Sequence, residues 1–143
     1  MDAIALNPGY AAVRHVYSVY LATVMRRFDE AIAEANRALE LDPLSLPINH
    51  IVGFLSLFAG EVDRAIEQFQ KTLEIDHRYT MAHNNLGYAY ECKGMRERAV
   101  EEFLLAKQFG GMGKCEVDAF RQAFVTTGWM GYLAKELAAA LAR

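Results

Sequence analysis

Cysteine, proline and positive charge are all scarce in this chain of 143 residues. Cys92 and Cys115 form neither a metal-binding spacing nor a disulfide framework, so a reducing, cytoplasmic compartment is the expectation. The formal net charge is −3. No global basic field therefore attracts nucleic acid, and direct contact with it is not expected. Long apolar runs are missing too. None approaches the roughly 20 residues of a membrane span, and the acidic start at Asp2 is not a secretory signal. Only three prolines, against a hydrophobic content of 53%, argue for a folded chain. The length suits one domain or one short repeat array.

What the chain does have is helical periodicity interrupted by glycine. Gly87 sits at the centre of "NNLGYAY", where it costs about 1 kcal/mol against alanine. Upstream, Gly53 interrupts "INHIVGFLSLF" in the same way. The interval between the two glycines, about 34 residues, is the length of a repeating helix pair. Ala31, Ala65 and Ala99 keep the same interval, as do Arg26, Gly60 and Gly94. Leu39 and Leu73, Leu41 and Ile75, and Asp42 and Asp76 follow suit. A sustained period of this length means stacked helix pairs, each unable to bury its apolar face alone. Helices are expected over 10–25, 28–41, 46–58, 62–75, 80–92 and 96–109. Breaks fall at "LDPLSLP", "AGE", "DHRY" and "CKGM". "FGGMGK" stops the third pair, and two more helices are expected over 115–127 and 129–142. Asp63 is the expected cap of its helix. Met130, Leu133, Leu137 and Leu141 form an apolar stripe on the last helix.

Chemical motifs are weak throughout. "GGMGKC" departs twice from a phosphate loop, with Gln108 at the first glycine and Cys115 at the Ser/Thr position, and reads as a helix stop. His15, His50, His77 and His83 show no i,i+4 pairing, so structural roles are expected and no metal site. Cys92 reads as a small buried apolar residue, and Glu67, Glu74, Glu101 and Glu102 as solvated helix exteriors. Nothing matches a Ser/His/Asp arrangement or a nucleophile elbow. No catalytic, cofactor-binding or metal-binding residue is assigned, and the chain is not expected to be an enzyme.

The third unit, with "NLGYAY", "KGM", Ala99, Phe103 and Ala106, resembles the tetratricopeptide repeat family. The second follows with Gly53, Gly60, Ala65 and Phe69, but has Ser56 and Thr72 where the family places tyrosine and alanine. The first matches only in its second helix, "FDEAIAEANRALELDP". The resemblance implies an all-α fold, a right-handed superhelical array of antiparallel helix pairs. It divides a single domain, 1–143, into the tail of a preceding repeat (2–9), repeats at 12–45, 46–79 and 80–113, and a C-terminal helix pair (114–143). Small residues then mark close helix crossings. The first helix of each pair lines a concave groove, which places Val16, Tyr20, His50, Phe54, Leu57, Asn84, Tyr88 and Glu91 there. Such a row suits a peptide or helix of a partner protein with apolar anchors. These helices offer hardly any Lys or Arg, which argues against capture of a terminal carboxylate.

A second resemblance lies in "DAFRQAFVTTGWMGYLAKELAAALA". It is similar to the end of repeat arrays in large bacterial regulatory proteins that carry a winged-helix DNA-binding or protein-kinase domain. The alternative function it implies is a sensor segment of a larger transcriptional or kinase-linked protein. No catalytic or DNA-reading residue carries over. Ile4 and Leu6 on a half-repeat, and the stripe at the other end, leave end faces uncovered. A homodimer joined through terminal helices is the expectation.

Overall fold

Seven helical runs and no strands make up residues 9–142, the part that the computed structural model describes. The expectation placed on Ile4 and Leu6 lies outside the described residues. The runs are α1 (Gly9–Thr23), α2 (Phe28–Leu41), α3 (Leu46–Phe58), α4 (Val62–Ile75), α5 (Thr80–Cys92), α6 (Arg96–Phe109) and α7 (Lys114–Leu141). Pro47 starts α3 from a position where its missing N–H is harmless. Asp63 does not cap α4: Glu61 holds that position and makes no side-chain cap. Asp63 lies instead in the first turn, where its charge suits the helix dipole, and pairs with Lys93.

Within each pair a tight turn sends the second helix back along the first. Arg26, Gly60 and Gly94 all carry positive φ in these turns, 56°, 82° and 73°. Behind each turn the helices cross closely. A Cβ built on Gly53 would lie 2.6 Å from the Phe69 ring, and one on Gly87 would lie 2.5 Å from Phe103. The glycines are therefore holes for the two phenylalanines. The first pair makes the same crossing with the sizes exchanged. Val19 stands one full period before Gly53, and Ala35 one period before Phe69. Ala35 is fully buried and Val19 packs against the same cluster. Volume is conserved at the crossing although neither residue is.

A polar tie repeats with the same period. Asn49 accepts from the Gln68 amide at 2.8 Å and donates to the Pro43 carbonyl at 2.9 Å. One repeat later His83 Nδ1 lies 2.6 Å from Glu102, and its Nε2 lies 2.8 Å from the His77 carbonyl. Glu102 is thus not a solvated exterior acid but an anchor between α5 and α6. In the first pair Glu34 is engaged by Arg14 and Arg37. His15, the counterpart of Asn49 and His83, keeps a buried Nδ1 with no hydrogen-bond partner among the described residues.

The core runs along the array. Leu21, Ala31, Ala35, Val52 and Leu55 fill the N-terminal half. Phe69, Leu86, Tyr90, Phe103, Leu104, Val117, Phe120 and Tyr132 fill the C-terminal half.

The last run reverses on itself. Gly128, one period after Gly94, has φ 72° and ψ −162°, a conformation open essentially to glycine alone. Along an unbroken helix, Phe120 and Tyr132 would be separated by about 18 Å. Their ring centroids are 6.1 Å apart. Two helices, as expected over 115–127 and 129–142, therefore pack side by side. Thr127 Oγ1 bonds back to the Ala123 carbonyl at 2.6 Å as the turn approaches. Gly131 leaves room for that threonine on the returning arm of the hairpin.

Candidate partner-binding groove

The first helices α1 and α5 each bury one face and present another, whereas α3 is buried nearly all round, with Pro47 and Phe58 exposed at its ends. On α1, Leu21 and Ser18 are buried while Val13, Val16, Tyr17 and Tyr20 are exposed. These four, with Ala12, line one shallow apolar surface, on which Tyr17 and Tyr20 stack at 6.4 Å. Phe54 is half-buried beneath the exposed Phe58, their rings 5.0 Å apart. Phe28 stacks on Phe58 from α2. Leu57 is half-buried against the C-terminal core.

His50 is placed differently from its neighbours in the row. It is buried, within about 6 Å of the Phe54, Phe69 and Tyr79 rings. The Asn85 amide lies 2.5 Å from its Nε2. Burial, then the nearby His15, pulls its pKa below the usual histidine value. His50 is thus enclosed by neighbouring rings and does not line the surface. Its burial is explained by Tyr79, which arrives from the loop before α5.

Asn84, Tyr88 and Glu91 are exposed on α5 and line one cleft together. The cleft's other wall is Phe103, Lys107, Trp129, Tyr132, Leu133 and Glu136. Lys107 was not foreseen as a groove residue because it belongs to a second helix. Its side chain is 17% exposed and reaches 2.8 Å from Glu136 and 4.7 Å from the centre of the Phe120 ring. A cation one turn after Phe103 on the same helix face was the available signal.

Cys92 and Cys115 are both free and exposed. Cys92 closes α5, where the chain turns away from the core, so it is not buried. Among the described residues no three His, Cys, Asp or Glu side chains cluster as a metal site. No helix among them is long and apolar enough to cross a membrane.

Antiparallel helix pairs in a fixed register, stacked along a shared core, define a superhelical helical-repeat protein. No family model and no curated sequence matches the chain. Solved structures do. MamA has 27% identity and a TM-score of 0.66 over 75% of this chain. The first tetratricopeptide domain of RPAP3, solved with the HSP90 peptide SRMEEVD, has 15% identity and a TM-score of 0.71 over 84% of this chain and 97% of its own. The translocator chaperone SycD of Yersinia enterocolitica has 14% identity and a TM-score of 0.73 over 92% and 98%. The chain is tetratricopeptide-repeat-like, an all-α superhelical array. It spans 62% of the length of the MamA chain.

Proposed function

We propose that this chain is a protein-interaction module that binds a helix or extended peptide of a partner along its inner row. Val16, Tyr20, Phe54, Leu57, Asn84, Tyr88 and Glu91 form the contact surface, and His50 supports it from below. The observation that carries this reading is the outward placement of Tyr20 and Tyr88, 46% and 52% exposed, on helices whose other faces are buried. Amphipathic rings offer large contact area at low entropic cost, which is why such residues dominate binding energy. The RPAP3 domain, solved with a bound peptide, and YrrB, described as having an unusual peptide-binding site, support it by fold. The same chain self-associates, in this reading, through the exposed stripe of its last helix.

The test is capture of a partner by the intact protein, followed by Asn84→Ala with Tyr88→Ala. Exposed substitutions change stability by about 0.5 kcal/mol or less. Helicity and melting temperature are expected to hold while partner affinity falls at least tenfold. Retained affinity in a folded double variant would remove these residues from the site.

A further inference from the structure

One wall of the third-repeat cleft is supplied by the chain's own last helix. After the reversal at Gly128, Tyr132 becomes 1% exposed, stacked at 6.4 Å on Phe103 and 5.9 Å on Trp129. Its hydroxyl donates to Glu136, whose carboxylate also takes Lys107. Leu133 completes the cleft opposite Tyr88 and Asn84. We propose that residues 129–141 are an internal ligand of this groove. The groove's external partner is an amphipathic helix with the same pattern, an aromatic at the position of Tyr132, a leucine after it and a carboxylate one turn on. This rests on the reading that the inner face binds a partner, and adds what that partner looks like and what it must displace.

Three features make the segment a ligand rather than a fourth repeat's second helix. The crossing of the earlier pairs is not repeated, because Arg121 stands one period after Gly87 and the counterpart of Phe103 is Leu137, which is 61% exposed. The periodic polar tie is missing as well. Glu136 is in register with Glu102, but its expected partner position holds Val117, so the carboxylate turns to Lys107. Finally, only one side of the segment is attached. Tyr132 packs among Phe103, Phe120, Phe124 and Trp129, Lys135 lies over Phe120 and Glu136 pairs with Lys107, while Met130, Leu137 and Leu141 on the other side are exposed. A cap built to stay would bury that stripe.

Release would leave Lys107 without its carboxylate beside the Phe120 ring, a site that favours an incoming acid over a neutral helix. Because the segment is tethered through one residue, it competes at an effective concentration on the order of millimolar. The apparent affinity of a partner is then its intrinsic affinity scaled by the fraction of open groove.

Trp129 is the only tryptophan in the chain and reports directly on docking. A synthetic peptide of residues 129–142, with phenylalanine in place of its tryptophan, is titrated into the full chain. Saturation is expected to shift Trp129 emission to the red as the internal helix is displaced. A fluorescein-labelled copy should bind the Glu136→Lys chain at least tenfold more tightly than the wild type, and lose that binding when Lys107→Glu is added. If Glu136→Lys lowers helicity, Glu136→Gln takes its place with the same expected direction. Unchanged emission up to millimolar peptide, equal affinity for both chains, or binding abolished by Val16→Glu but not by Lys107→Glu would overturn the proposal. A captured partner that still depends on Val16 and Tyr20 while Trp129 stays silent would sink this inference and leave the interaction-module reading standing. An emission shift without any groove-dependent partner would do the reverse.

Discussion

Gly87 and Phe103 are one device written in two residues. The ring occupies the volume that a Cβ would need, so Gly87→Val overpacks the crossing and is expected to destabilise the fold by about 1–3 kcal/mol. The first pair already shows the reciprocal solution in Val19 and Ala35. Combining Gly87→Val with Phe103→Ala should therefore cost less than the two single changes added together. Urea unfolding of the four chains in this cycle measures the coupling, and strict additivity would mean the two positions do not share a contact. Arg26 makes the opposite point. It holds a φ of 56° where Gly60 and Gly94 hold the equivalent turns. The left-handed region costs a side-chain-bearing residue about 1–2 kcal/mol. Arg26→Gly is expected to raise the melting temperature, with a gain of up to about 1 kcal/mol after the added freedom of the unfolded chain is counted. A lower melting temperature would show that the exposed arginine contributes more than its backbone loses.

At the scale of elements, the helices were legible because each carries its own period and its own stop. The bounds of α1 to α6 agree with expectation to within about two residues, the ordinary uncertainty of helix ends. The inner row was only partly legible. Helical spacing places His50 beside Phe54, but spacing does not say that Tyr79 and Asn85 will close over it. Lys107 was missed for a related reason: it enters the cleft from a second helix, and only the packed array makes that junction. The sharpest element-level feature is Gly128. Its ψ of −162° differs from a simple helix stop, and the hairpin depends on it. Gly128→Ala is expected to strain the reversal by about 1–3 kcal/mol. The outcome should be a local one, with Trp129 emission moving to the red while α1 to α6 keep their helicity by circular dichroism. An unshifted Trp129 would show that the reversal tolerates a side chain.

For the whole molecule, the returning helix has one buried side and one exposed side. Tyr132 and Glu136 turn inward, while Met130, Leu137 and Leu141 lie 73%, 61% and 76% exposed, and Val125, before the reversal, 71%. Met130, Leu137 and Leu141 recur at helical spacing on the returning helix, so their exposure is a stripe rather than scattered single residues. Burying them between two copies would contribute about 25 cal/mol for each Å² removed from water. A twofold arrangement pairs the stripe with itself and closes the assembly at two chains, whereas a head-to-tail contact would keep growing. The expected species at micromolar concentration is therefore a homodimer, measured by sedimentation equilibrium. Leu137→Glu with Leu141→Glu places like charges across the twofold axis and should return the monomer. Because neither residue faces the cleft, Trp129 emission should stay where it is in the wild type. A wild-type chain that sediments only as a monomer would reject the dimer. A dimer that survives both glutamates would move the contact away from the last helix, and a dissociated variant with red-shifted Trp129 would show that the stripe also holds the internal helix in place.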